Sequence, residues 1–360
     1  MSFVTHVIAP GPYGGAESVV RVLCAGSVAT GRAVSAALLL PNGSQSSLAE
    51  AMRECGVPVD EIRCGRRAYR AEARELRRVL RARGTTVVHT HVYRADVVGW
   101  MATKRTQVRC VATLHGYTGG SLVNRAYQWL DHRLLGRFDA VVCVSEQLRQ
   151  RLLRTGATGN RLHVVRNGFA GRASVSREEA RRLLGLPLDR PAVGWVGRLS
   201  HEKGADLFVE AMMRCPRSDA IGVIVGDGPQ RRDLQARVGP GAAIRLVGSR
   251  PDIGQLMPAF DVLAISSRAE GTPMVLLEAM SARVPIASFA VGGIPELLPA
   301  DAAWFAAPGD TAGLAASIAA ALDFPTEAER RADTCVRLLE AEFGVERWLR
   351  DLDRIYASLA

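Results

Sequence analysis

Lysine is almost missing from this chain: of 46 basic residues only Lys104 and Lys203 are lysines. An arginine bias follows from genome composition as readily as from function, so the excess itself carries little weight. It does single out the two places where an ammonium stands, since ammonium and guanidinium are not equivalent donors. Paired cysteine is missing too. The seven cysteines, Cys24, Cys55, Cys64, Cys110, Cys143, Cys215 and Cys335, are odd in number and scattered, with no Cys-x-x-Cys pair. That argues against a disulfide framework and against a zinc site. Several read as small buried apolar residues, in a reducing cytoplasm. Long apolar runs are absent: stretches such as 140–144 and 262–265 are strand-sized, far short of the roughly 20 residues a membrane-spanning helix needs. The opening Met-Ser-Phe-Val-Thr-His-Val-Ile-Ala-Pro lacks the basic start and cleavage site of a secretory leader and reads as a first strand.

What is present is ordinary globular composition, 48% apolar and 23% charged over 360 residues, enough for two domains. Short apolar strands alternate with longer mixed segments, the pattern of parallel sheets with helices on both faces. In the first half strands are expected near 4–9, 35–40, 86–90, 109–114, 140–145 and 162–166, and in the second near 192–196, 221–225, 244–247, 262–265 and 285–289. The Gly/Ala/Ser segment 169–175 reads as the boundary, giving domains 1–172 and 173–344. A terminal helix over 345–360 carries an apolar stripe and is expected to dock back on the first domain. Charge is lopsided. Residues 1–175 hold 25 basic and 11 acidic side chains, a net of +14, whereas 176–360 hold 21 and 25, a net of −4. One half is therefore expected to meet an anionic surface or ligand.

Several segments carry chemistry. In Glu270-Gly271-Thr272-Pro273-Met274-Val275-Leu276-Leu277-Glu278, Gly271 permits a tight turn, and Thr272 and Pro273 suit the N-cap and first position of a helix. The free amides of that first turn form a site for a diphosphate beyond the carboxyl end of a parallel strand. Glu270 precedes the helix and Glu278 lies inside it, so the two carboxylates grip different parts of one ligand. Upstream, Arg198 and Lys203 stand five residues apart in a loop after a strand and can face one anion. Gly226-Asp227-Gly228-Pro229 is a good turn sequence. Gly14 and Gly15, after the first strand, allow close backbone approach to a ligand but lack the Gly-x-Gly-x-x-Gly spacing of a dehydrogenase. His115 ends one strand and His89 and His91 end the one before it; these histidines are too few to define a metal site. Asp351 and Asp353 read as solvated helix surface.

Taken together, the Glu-x7-Glu spacing of Glu270 and Glu278, the Gly-x-Pro of Gly271 to Pro273 and the closing Glu-Ala-Met resemble the retaining glycosyltransferase family 4. The resemblance covers nearly the whole chain, with its specific motifs between residues 193 and 297. It implies the GT-B fold: α/β, two Rossmann-like parallel-sheet domains facing a central cleft. It further implies transfer of a sugar from a UDP-, GDP- or ADP-linked donor to an acceptor hydroxyl with retention of configuration, with no cofactor and no metal. On that resemblance the catalytic set is His115, Arg198, Lys203 and Glu270, with His115 near the reacting carbon, Glu270 on donor-sugar hydroxyls, and the two cations on the diphosphate. The donor-binding set is Gly14, Gly15, Ser249, Arg250, Gly271, Thr272, Met274, Val275 and Glu278, with Glu278 on the ribose hydroxyls and Ser249 and Arg250 at the base.

The acceptor has no decodable motif; residues 117–125 and the neighbourhood of Tyr93 are where it is expected. Arg66, Arg67, Arg70, Arg74, Arg77 and Arg81 fall on one side of a helical wheel, a stripe suited to anionic lipid headgroups at a membrane's inner face. Polysaccharide or glycolipid assembly there is the expected setting. A sugar-nucleotide epimerase of the same fold and a non-catalytic nucleotide-sugar-binding subunit are the alternatives. A nucleic-acid binder is disfavoured because no aromatic interleaving accompanies the charge.

Overall fold

A computed structural model describes residues 2–10, 15–65, 68–116, 133–171, 175–239 and 241–359, and all statements of arrangement concern these. The chain divides into two compact units. One holds the described residues through Ala170 together with Phe343–Ala360, the other Gly171–Glu342.

The first unit is built on a seven-stranded sheet of β1 (Val4–Ile8), β2 (Val34–Pro41), β3 (Val59–Cys64), β4 (Val87–His91), β5 (Arg109–Leu114), β6 (Ala140–Cys143) and β7 (Leu162–Val164), in the order β3-β2-β1-β4-β5-β6-β7. The second has six strands, β8 (Ala192–Val196), β9 (Ile221–Val225), β10 (Ile244–Gly248), β11 (Val262–Ile265), β12 (Ile286–Phe289) and β13 (Trp304–Ala306), in the order β10-β9-β8-β11-β12-β13. All pairings are parallel. Parallel strands covered by helices on both faces must be apolar on both sides. Accordingly every residue of β1, β4 and β9 is buried, as is β2 up to Pro41. Each large apolar side chain so buried contributes about 1.5–3 kcal/mol.

Both strands that the sequence reading passed over are edges. β3 pairs only with β2, and its Asp60 and Glu61 face water and arginine, with Arg83 Nε donating to Asp60 at 3.0 Å and Arg53 to Glu61 at 2.6 Å. Those charges interrupt the apolar run that marks a strand. β13 is three residues long, too short for a periodic signal.

The helix Val345–Ser358 buries Trp348, Leu349, Leu352, Ile355 and Tyr356 and packs on the helix Gly15–Ala29 within the first unit. The Phe169 amide donates to the Phe343 carbonyl at 2.8 Å where the chain returns. Asp351 pairs with Arg347 and Arg354, and Asp353 with Arg32, as surface ion pairs. Five cysteines, Cys24, Cys64, Cys110, Cys143 and Cys335, are buried and unbridged. No helix among the described residues is long and apolar enough to cross a membrane.

The arginine stripe is narrower than its wheel implied. Arg70, Arg74 and Arg81 are exposed on the helix Tyr69–Arg83. Arg77 is half-buried, donating to the carbonyls of Ala102 and Met101 at 2.8 Å each. It satisfies the otherwise orphan C-terminal carbonyls of the helix Tyr93–Thr103, which commits two of its donors within the protein. Arg66 and Arg67 lie outside the described residues, as do Tyr117 to Arg125.

Candidate functional site

In each sheet the strand order reverses once, between β1 and β4 in the first unit and between β8 and β11 in the second. Open parallel sheets bind ligands outside the carboxyl ends of the strands at such reversals. The loops leaving β1, β8 and β11 are the segments that hold Gly15, Arg198 with Lys203, and Glu270. Gly15 opens the helix Gly15–Ala29 and is exposed. Gly14 lies outside the described residues.

In the second unit, the loop after β8 and the loop after β11 are tied together by buried polar groups. Trp195 Nε1 donates to Ser266 Oγ at 3.0 Å, and that hydroxyl donates to the Gly204 carbonyl at 2.6 Å. This brings Lys203 to Glu270. The ammonium lies 2.7 Å from Oε1 and 2.9 Å from Oε2, and Ser267 Oγ donates to Oε1 at 2.7 Å. Behind Glu270, Gly292 sits at φ +59°, where an added Cβ would lie 2.0 Å from the Glu270 carbonyl oxygen. Only glycine lets that backbone pass. Arg198 has a different partner, with its guanidinium 3.2 Å from Glu202, whose carboxylate also accepts from Ser200 at 2.7 Å. The two cations thus stand on separate carboxylates of the protein. The Gly226–Pro229 turn braces this loop from below: Leu199 N–H donates to the Asp227 carbonyl at 2.9 Å.

The helix after the β11 loop spans Met274–Ser281, with Pro273 as its N-cap at ψ 125°. It begins one residue later than expected, and Thr272 is a buried loop residue. Proline supplies no cap side chain, so the amides of Met274 and Val275 precede the first backbone hydrogen bond there, from Leu276 N–H to the Pro273 carbonyl at 3.1 Å. Gly271 is buried, while Met274 and Val275 are half-buried. Glu278 is one turn further on, beside Gly254, whose added Cβ would lie 3.4 Å from the carboxyl. Burial pushes this carboxyl up to about 7. No hydrogen-bond or ion-pair partner accompanies it among the described residues. Arg250, expected at the base, has its guanidinium on Asp252 at 2.8 and 2.9 Å and on the Leu183 carbonyl at 3.0 Å. Those contacts fix the loop after β10, leaving Ser249 as the freer of that pair.

The first unit holds something the sequence reading did not assemble. His6 on β1, His89 and His91 on β4 and His115 after β5 form one cluster. His6 Nδ1 lies 3.1 Å from His91 Nε2, and His91 Nδ1 lies 3.0 Å from His115 Nε2. His89 stacks on His91 at 4.6 Å between centroids and 22°. It is clamped by Tyr356 at Nδ1 and Thr113 at Nε2, both at 2.6 Å. Nitrogens of His6, His89 and His91 lie within 4.8 Å of one another, a spacing a metal could bridge, yet both nitrogens of His89 already have hydrogen-bond partners. The signal available in the sequence was register: parallel pairing puts His6 beside His89 and His91 beside Thr113. Register needs a strand order, which sequence alone did not supply.

A two-domain α/β architecture, with its chemistry-bearing side chains at the sheet reversals, defines the GT-B class. Residues 14–168 match the family model described as the glycosyl transferase 4-like domain, and residues 190–323 that of glycosyl transferases group 1. The chain belongs to the group 1 glycosyltransferase family. It is 40% identical over 167 residues to the 2-deoxystreptamine N-acetyl-D-glucosaminyltransferase of Streptomyces fradiae, an overlap of 44% of this chain and 39% of that protein. It is 30% identical over 235 residues to the D-inositol 3-phosphate glycosyltransferase of Mycolicibacterium paratuberculosis, an overlap of 58% and 52%. The chain thus spans about half the length, or less, of these curated relatives. Its fold is similar to that of Anabaena Alr3699/HepE, solved in complex with UDP-glucose, with a TM-score of 0.86 at 21% identity over 99% of each chain.

Proposed function

We propose that the protein moves a sugar from a nucleoside-diphosphate donor to an acceptor hydroxyl with retention of anomeric configuration. The observation that carries this reading is Glu278: a carboxyl pushed up to about 7 by burial, without a partner among the described residues, on the helix that follows the Lys203–Glu270 loop. A structural carboxylate would have been given a cation. One left open suits paired ribose hydroxyls. In this reading the amides of Met274 and Val275, with Arg198 and Lys203, hold the diphosphate, and Glu270 and His115 hold the donor sugar. The bond from the anomeric carbon to phosphate breaks as the acceptor oxygen bonds to that carbon from the same face, and the acceptor proton passes to the departing phosphate oxygen. Fixed cations stabilise the charge developing there, so transfer is expected to survive chelation of divalent metals.

For the acceptor, the names of the two relatives support a polyhydroxylated carbocycle. Of the two chemistries, the net +14 of residues 1–175 favours a phosphorylated acceptor over a cationic aminated one. Assembly of a polysaccharide or glycolipid at a membrane is less favoured, because the half-buried Arg77 spends two donors on the carbonyls of Ala102 and Met101.

The test is a thermal-shift screen of UDP-, GDP- and ADP-sugars, then mass spectrometry of products with inositol phosphate and with 2-deoxystreptamine. Glu270→Gln is expected to retain the nucleotide-induced shift and lose product. Transfer by that variant at near the wild-type rate would remove Glu270 from the mechanism.

A further inference from the structure

A cavity of about 1490 Å³ in the first unit lies not at the carboxyl ends of its strands but at their amino ends, among Val4, Val34, Val87 and Arg109. His6 and Tyr356 are in its wall. From His6 the line of imidazoles runs through His91 to His115, beyond the end of β5. The histidine cluster therefore crosses the first sheet from this cavity to the carboxyl end of its strands.

We propose that His91, backed by His6, is a positioning residue that gives His115 a single tautomer by passing one hydrogen-bond polarity along the chain His6–His91–His115. A neutral imidazole has one donor nitrogen and one acceptor nitrogen. If His6 Nδ1 donates to His91 Nε2, then His91 must carry its proton on Nδ1 and donate to His115 Nε2, leaving His115 with a proton on Nδ1. If His115 Nε2 donates instead, both links reverse and His115 Nδ1 is a bare acceptor. No mixed arrangement satisfies both contacts, at 3.1 and 3.0 Å. Burial keeps the rings neutral, holding His6 down to about 3, His115 to about 4, and His89 and His91 well below the ordinary histidine range. His89, clamped by Tyr356 and Thr113, fixes the plane of His91 by stacking. The C-terminal helix, which carries Tyr356, so enters the orientation of a residue more than two hundred positions away. No partner accompanies His115 Nδ1 among the described residues, so the polarity of the chain decides whether that atom offers a proton or a lone pair. The assignment of His115 to the donor sugar rests on the function proposed above; the tautomer coupling does not.

The test uses the full chain labelled with 15N-histidine and long-range proton–nitrogen correlation spectra, alongside transfer kinetics. In the wild type His115 is expected to show one pyrrole-type and one pyridine-type nitrogen. In His91→Phe and in His6→Phe its two nitrogens are expected to move to averaged positions. kcat should fall about tenfold, the cost of losing one well-made hydrogen bond in the transition state, with KM for the nucleotide sugar nearly unchanged. His91→Gln, whose amide both donates and accepts, should restore the single tautomer and most of kcat. Circular dichroism establishes that each variant folds, and His6→Phe, two rings from His115 and beside the cavity, carries the test if His91→Phe does not fold. Averaged His115 nitrogens in the wild type, or unchanged ones in both Phe variants, would overturn the proposal. His115→Ala with wild-type transfer, in a protein whose His115 tautomer does respond to His91, would overturn the donor-sugar reading and leave the coupling standing.

Discussion

Replacing Glu278 with glutamine should make the protein more stable, and increasingly so as pH rises. An unfolded glutamate titrates near 4.5, whereas burial holds this carboxyl at about 7 in the folded protein. Between those values the unfolded chain has lost its proton and the folded one has not, so the unfolded state binds fewer protons and stability falls as pH rises. Raising the carboxyl from 4.5 to about 7 corresponds to about 3 kcal/mol in all. Integrated over the titration curves, about 2.5 kcal/mol of it is lost between about pH 5 and pH 8. Glutamine has the same shape and no titration. Urea unfolding of both proteins at the two pH values is the assay. The variant's advantage should grow by the same amount, about 2.5 kcal/mol, from the lower pH to the higher. A second readout comes from nucleotide diphosphate binding. If the carboxylate accepts ribose hydroxyls, wild-type affinity weakens as pH falls below about 7, and the variant lacks that component. Stability curves that run parallel for the two proteins would refute the argument, because they would mean that the buried carboxyl has no raised titration.

Three further substitutions test packing in the second unit. Arg181 is fully buried and donates to the carbonyls of Ala259, Pro187, Leu188 and Arg190 and to Asp261; Arg181→Met strands those acceptors and should cost about 3–5 kcal/mol in urea unfolding, as removal of one member of a buried ion pair does. Gly292→Ala forces a Cβ to within 2.0 Å of the Glu270 carbonyl at a positive φ. It should lower both stability and transfer, whereas Gly309→Ala, also at positive φ but with nothing within 4 Å, should cost only the conformational term of about 1–2 kcal/mol and leave transfer intact.

The strands that build each core were legible because a strand buried on both faces must be a continuous apolar run, as Ile221–Val225 is. Edge strands were not, since an edge tolerates the Asp60 and Glu61 that water and arginine can satisfy. The loops of the candidate site were legible for a related reason: Gly271 and Pro273 dictate a turn and a helix start whatever surrounds them. Partner choice was not. The sequence placed Arg198 and Lys203 in one loop, but Ser267 and Glu202 decide which carboxylate each cation meets, and neither stands out in sequence. The histidine chain was hidden for the same reason, its members being spread over 109 positions from His6 to His115 and joined only by strand order.

Charge imbalance between the halves pointed to an anionic ligand, yet the half proposed to hold the diphosphate is the one with a net of −4. The geometry accounts for this. Glu202 and Glu270 offset Arg198 and Lys203 in number, so net charge at these loops is small. Their donors are not exhausted, however. An ammonium has three, and Lys203 places two on Glu270, leaving one; a guanidinium has five, and Arg198 places one on Glu202. Each carboxylate therefore aims its cation more than it neutralises it. On the proposed function, attraction for a diphosphate comes from directed donors and helix amides at short range, which salt screens weakly compared with a diffuse surface field. A basic half and a donor half are consequently different things, and the +14 of the first half is available for the other substrate.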